Sequence, residues 1–209
     1  MRSVSLQQVP PGEDLSRILS LSDGVFAFAL TLLVLTLAVP LGLTNGQLGV
    51  RLHDEYAAFL GYGFAFFLIA NWWIAHHRQF SYFRRYDGPL IGINMTILLE
   101  IAVMPFVLNV FANYAGDQFA VVLFAATQTI TGLTFVALWV HATRDRRLVD
   151  PDLDPAIIRY TARRGLLTPI VFGVSIAISF VSVTAAEVFW VAMFIVPRLS
   201  EHYGLASPD

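Results

Sequence analysis

The chain has 209 residues, 56% of them hydrophobic and only 13% charged, with a net charge of −2 and no cysteine. Soluble domains carry roughly 25% charged residues, and a soluble fold of this size could not hide so much apolar surface. That balance excludes a cytosolic enzyme, a disordered chain, a nucleic-acid binder with its basic face, and all disulfide or thiolate chemistry.

A helix needs ~20 mostly apolar residues to cross the hydrocarbon. Six stretches are expected to do so, at about 17–43, 54–78, 88–112, 118–142, 160–183 and 184–203, within a single domain over 1–209. The fold class is therefore an all-α membrane protein. The runs are continuous rather than alternating, which argues against a β-barrel.

In the first span, Val25–Leu43 is interrupted only by Thr31, Thr36 and small residues. Glu13 and Asp14 beside Arg17, with no small-residue cleavage motif, speak against a cleaved signal peptide. The second span is rich in Phe and contains Gly61-Tyr62-Gly63, which imitates a potassium-channel filter. Phe59 stands where such a filter has Val or Thr, and a filter needs irregular backbone, so the two glycines are expected to serve close helix packing. The third span has three polar interruptions, Asn94, Glu100 and Asn109. Asn94-Met-Thr reads as a glycosylation sequon but lies inside the span. Between the fourth and fifth spans, Arg144–Arg164 is expected to be a solvated linker, with Pro151 and Pro155 breaking any helix. The sixth span needs the polar residues up to Tyr203 to reach across.

All 13 basic residues are arginine. Twelve fall on one side of a six-span topology, and only Arg51 on the other, so both termini are expected in the cytoplasm of a bacterial inner membrane. No inverted halves are visible, which weakens a two-fold transporter architecture.

Charged groups at membrane depth are costly, so each is a functional hypothesis. Asp23 is open to two readings. Ser22 or Asp23 caps the start of a helix, or the helix starts earlier, and Asp23 then needs partners on other spans. Trp73, His76, His77 and Asn94 lie at the same membrane face. Adjacent histidines point ~100° apart on a helix, which is poor for joint metal ligation. Glu100 is either a proton or cation site, or a neutral carboxyl hydrogen-bonded within the bundle. Phe28, Thr31, Leu32, Leu35 and Val39 follow helical spacing and share one face of the first span.

The stretch Arg17-x-x-x-Leu21-Ser22-Asp23, followed by an apolar helix, resembles the first-helix signature of the transmembrane protein 175 family of potassium channels. Trp73-x-x-His76-His77, Asn94 and Pro105-Phe106 extend the resemblance across the first three spans. Leu21 departs from it, standing where the signature has Phe. The resemblance implies a prokaryotic channel subunit with six helices, assembled as a homotetramer whose four first helices surround one axis. It implies a structural polar network of Arg17, Ser22, Asp23, Trp73, His76, His77 and Asn94 that scaffolds the pore helix.

In such an assembly the stripe becomes a pore lining. The resemblance implies Phe28 at the position of the first constriction, Thr31 at a selectivity layer and Leu35 at a further apolar ring; large apolar rings at an axis would gate by dewetting. No cofactor, resident metal or catalytic residue is expected, only a potassium ion passing Thr31. The expected partners are membrane lipid, further copies of the chain and permeant monovalent cations. The competing readings are a proton-permeable pore or a proton-coupled transporter using Asp23, His77 and Glu100, and a membrane-embedded lipid enzyme, for which no converging catalytic set is visible.

Overall fold

The computed structural model describes residues 13–37, 41–42 and 46–190, and regular structure among them is helical apart from one isolated bridge between Phe83 and Val149. Helix α1 spans Glu13–Leu32 and tightens into a 3-10 turn over Leu33–Thr36. Helix ends often tighten in this way, and Pro40 in the sequence has no amide hydrogen to extend the α pattern. The continuous helix expected as far as 43 therefore ends sooner, and Val39 lies outside the described residues. Because α1 begins at Glu13, Ser22 and Asp23 sit in its interior. The helix-cap reading of these two residues is thus corrected: the Ser22 hydroxyl donates back to the Ile18 carbonyl at 2.9 Å.

A short helix α2, Leu48–Asp54, leads into α3, Tyr56–Ser81. Helices α4, Gly88–Asn113, and α5, Gln118–Thr143, are each started by an aspartate side chain. Asp87 accepts the Leu90 amide at 2.9 Å and Asp117 the Ala120 amide at 3.1 Å, satisfying amides that have no partner in the first turn.

Helices α6, Pro155–Gly165, and α7, Leu167–Ser179, meet at Leu166, whose φ of −73° and ψ of −16° remain helical. The solvated linker expected through Arg164 thus ends at Asp154. Pro155 begins a helix rather than breaking one, because a first-turn proline gives up no hydrogen bond and Asp154 caps it. Helix α8, Val183–Phe189, starts on a Ser182 cap; residues 191–203 of the expected sixth span lie outside the described residues.

Among the described residues, five stretches are long and apolar enough to cross a membrane: Leu15–Thr36, Ala58–Ser81, Gly88–Asn113, Gln118–Arg146 and Pro155–Ser179. Helix α5 is central, packed between α4 and α7, while α1 lies against α4 and α3. At the α5–α7 crossing a Cβ on Gly132 would come within 2.7 Å of the Pro169 ring. Only a hydrogen fits there. Gly132→Val should therefore destabilise the fold by roughly 1–3 kcal/mol through overpacking, read as an earlier thermal unfolding in detergent. Gly61 and Gly63 behave differently: among the described residues, no other helix comes within 4 Å of a Cβ built on either. The expectation that they bring helices of this chain together is corrected.

At the arginine-rich end, the loop after α3 is pinned to the segment after α5. Arg84 and Arg85 donate their amides to the Leu148 carbonyl at 2.8 and 3.2 Å. Asp87 also accepts from His141 Nε2 at 2.9 Å and has Arg147 at 3.7 Å. Burial alone would raise the Asp87 carboxyl, but the Leu90 amide, His141 and Arg147 outweigh it and hold it below its ordinary value. A lowered carboxyl stabilises the fold above its ordinary pKa, and that contribution is lost as pH falls through the lowered value. Asp87→Ala should cost about 1 kcal/mol from the cap alone and flatten the acid limb of stability against pH, measured by thermal melts across an acidic series.

Candidate functional site

The residues of α1 divide into two faces. Ile18, Ser22, Phe26, Ala29 and Leu33 are buried at spacings of three and four, against the rest of the bundle. Phe28 and Leu35 are 65% and 76% exposed, and Thr31 is exposed between them. Leu32 is half-buried at the edge of this stripe. The Thr31 hydroxyl gives its hydrogen to the Phe28 carbonyl at 2.9 Å, so the oxygen's remaining lone pairs are free to meet a cation.

The buried face is anchored by a chain of hydrogen bonds across three helices. His76 Nε2 of α3 lies 2.8 Å from Asn94 Oδ1 of α4. Asn94 Nδ2 donates to Ser22 Oγ at 3.1 Å, and Ser22 passes its own hydrogen to the Ile18 carbonyl. The direction is fixed by the last donor: Asn94 must present its oxygen to His76, which therefore carries its hydrogen on Nε2. Among the described residues His76 Nδ1 is buried without a partner, which suits the bare lone pair of that tautomer. Phe80 stacks on the ring at 4.3 Å and Phe26 covers it at 5.5 Å.

Asp23 is joined differently. Its carboxyl is exposed and accepts the Trp73 indole N–H at 2.8 Å, and His77 stacks on Trp73 at 5.4 Å. Arg17 is exposed, and no hydrogen bond or ion pair links it to these groups among the described residues.

Two further polar clusters lie within the bundle, and their pairings are not legible in the sequence. Trp72 donates to Gln128 Oε1 at 3.0 Å, and Gln128 Nε2 lies 3.1 Å from the Met104 sulfur. All three residues are buried. Glu100 lies midway along α4, with Oε1 2.8 Å from the Thr134 hydroxyl of α5. The available signal was weak, a lone Gln and a few threonines within the apolar fourth span. An open groove of about 900 Å³ also runs between α3 and α6–α7, with Arg78, Arg164, Glu187 and Trp190 among its lining.

Among the described residues, no three His, Asp or Glu side chains converge on a common metal position. His76 is buried and His77 exposed, as a ~100° separation demands.

The sequence profile described as "Endosomal/lysosomal potassium channel TMEM175" matches residues 17–105, the stretch holding α1 and its anchor. A potassium channel of Streptomyces collinus is 34% identical over 170 residues, covering 79% of this chain and 82% of that protein. A potassium channel of Chamaesiphon minutus is 30% identical over 210 residues, covering 96% and 98%. The crystal structure of a lysosomal potassium-selective channel TMEM175 homolog from Chamaesiphon minutus superposes with a TM-score of 0.71 at 28% identity, covering 88% of this chain and 97% of that one. The chain belongs to the TMEM175 potassium-channel family, a family of transport proteins rather than enzymes.

Proposed function

We propose that this protein is a passive, potassium-selective cation channel formed by four copies of the chain, with the first helices around a central axis. The observation that carries this reading is the outward-turned stripe of α1. Phe28 and Leu35 stand clear of their own bundle while the opposite face is locked inward. Four such stripes about one axis give rings of Phe28 and Leu35 narrow and dry enough to stop ions, with a Thr31 hydroxyl ring between them. By sequence spacing alone the proposed lining extends to Val39, which lies outside the described residues, and Leu32 stands half-buried at the margin of the stripe. Helix carbonyls are already bonded within α1, so side-chain oxygens alone replace the ion's water and the preference for potassium is modest.

Ser22, Asn94 and His76 hold α1 in register with α4 and α3, and Asp23–Trp73 with His77 braces its exposed side. These groups are scaffold. Six spans with cytoplasmic termini in a bacterial inner membrane complete the proposal. The sixth begins with α8, and the Ser182 cap that starts a helix there supports it.

Reversal potentials of the purified full-length protein in planar bilayers, with unequal potassium and sodium, test the reading. Currents should reverse towards the potassium equilibrium potential without a proton gradient. Flux that saturates and collapses with the proton gradient, or no conductance at all, would reject it.

A further inference from the structure

The one hydroxyl hydrogen of Thr134 is claimed twice. Thr134 Oγ1 lies 2.8 Å from Glu100 Oε1 and 2.9 Å from the Ile130 carbonyl. A hydroxyl has a single hydrogen to give, and a backbone carbonyl has none. With Glu100 ionised, one of these two short oxygen–oxygen contacts has no hydrogen between its atoms. With a proton on Oε1 both are satisfied: Glu100 donates to Thr134, and Thr134 donates to Ile130.

The other carboxyl oxygen completes the cluster. Among the described residues, Glu100 Oε2 and the Thr131 hydroxyl are buried without a hydrogen-bond partner. Thr131 precedes Thr134 by three residues, on the same side of α5. Oε2 can accept the Thr131 hydrogen in either protonation state, so it is the doubly claimed Thr134 hydrogen that places the proton on Oε1.

No ion pair among the described residues includes Glu100. The hydrogen-bonded titratable side chains on the helices packed against α4 are engaged elsewhere: Asp23 of α1 with Trp73, His76 of α3 with Asn94, and His141 of α5 with Asp87. A bare carboxylate halfway along a membrane helix is costly without such a partner.

We propose that Glu100, Thr131 and Thr134 form a proton-binding site in the membrane interior between α4 and α5, with Glu100 holding the proton at neutral pH. The site is separate from the stripe of α1 and does not depend on that stripe lining a pore. Its ligand is a proton from water, and its loss would leave a charge between two closely packed helices.

Infrared spectra of the full-length protein in liposomes at neutral pH test this, comparing the native chain with Glu100→Gln and Thr134→Val. The difference between native and Glu100→Gln should contain the C=O stretch of a protonated carboxyl, lost entirely in the variant. Thr134→Val should shift that band, because the carboxyl proton loses its acceptor; this variant also serves if Glu100→Gln fails to fold. A difference spectrum containing only carboxylate stretches would overturn the proposal. So would a protonated-carboxyl band that Thr134→Val leaves unmoved.

Discussion

Replacing Leu35 by Ala should raise potassium flux through the closed protein by about tenfold or more, since every ~1.4 kcal/mol removed from a barrier multiplies a rate by ten. The reasoning is local. Leu35 is the most exposed member of the stripe, and in the proposed ring of four its side chains would keep the constriction dry. Truncation to a methyl group widens the ring and admits water, which lowers the cost of bringing a cation through. Phe28→Ala should act in the same direction at the other ring. Thr31→Ala should instead leave the leak small and reduce the preference for potassium over sodium, because it removes hydroxyl oxygens without changing the apolar rings. Single-channel recordings separate the three. Unchanged conductance and selectivity in all of them would remove α1 from the conduction path.

Asn94→Leu should be the most damaging change in the anchor, costing roughly 2–4 kcal/mol by leaving the buried His76 N–H without an acceptor and Ser22 without its donor. Both lost partners lie in positions closed to water, and the branched side chain cannot serve either. The loss should appear as early thermal unfolding and poor recovery of assembled protein. Asp23→Asn is a useful contrast. It keeps an oxygen for the Trp73 indole at an exposed position, so it should cost no more than about 1 kcal/mol. A larger loss at Asp23 than at Asn94 would mean that the exposed brace, not the buried chain, holds the helix.

Several helices are legible from apolar runs alone. Helices α3, α4 and α5 cover 56–81, 88–113 and 118–143, against expected spans of 54–78, 88–112 and 118–142. Asp87 and Asp117 mark two of these starts because an aspartate before a long apolar run supplies the missing acceptor. Helix α6 is less legible, since its arginines imitate a solvated loop and Pro155 imitates a break. Its amphipathic character shows only once the proline is allowed a first-turn position. The partners of Glu100 and Trp72 are a different matter. Thr134 and Gln128 lie 34 and 56 residues away, and which of them meet depends on how each helix is rotated about its axis. One sequence does not contain that rotation. The family resemblance and the expense of unpaired polar groups in lipid imply a network among the polar residues of the first three spans, but not that Asn94 bridges His76 and Ser22, nor that Asp23 and Arg17 are exposed.

The absence of cysteine from the chain allows the most direct test of whether α1 borders the conduction path. Single cysteines introduced as Thr31→Cys and Leu35→Cys can be treated with a charged thiol reagent during current recording, with Phe106→Cys on the exposed side of α4 as the control. Modification at positions 31 and 35 should reduce the potassium current and leave it unaffected at 106. A current that persists unchanged after complete modification at both α1 positions would contradict the account.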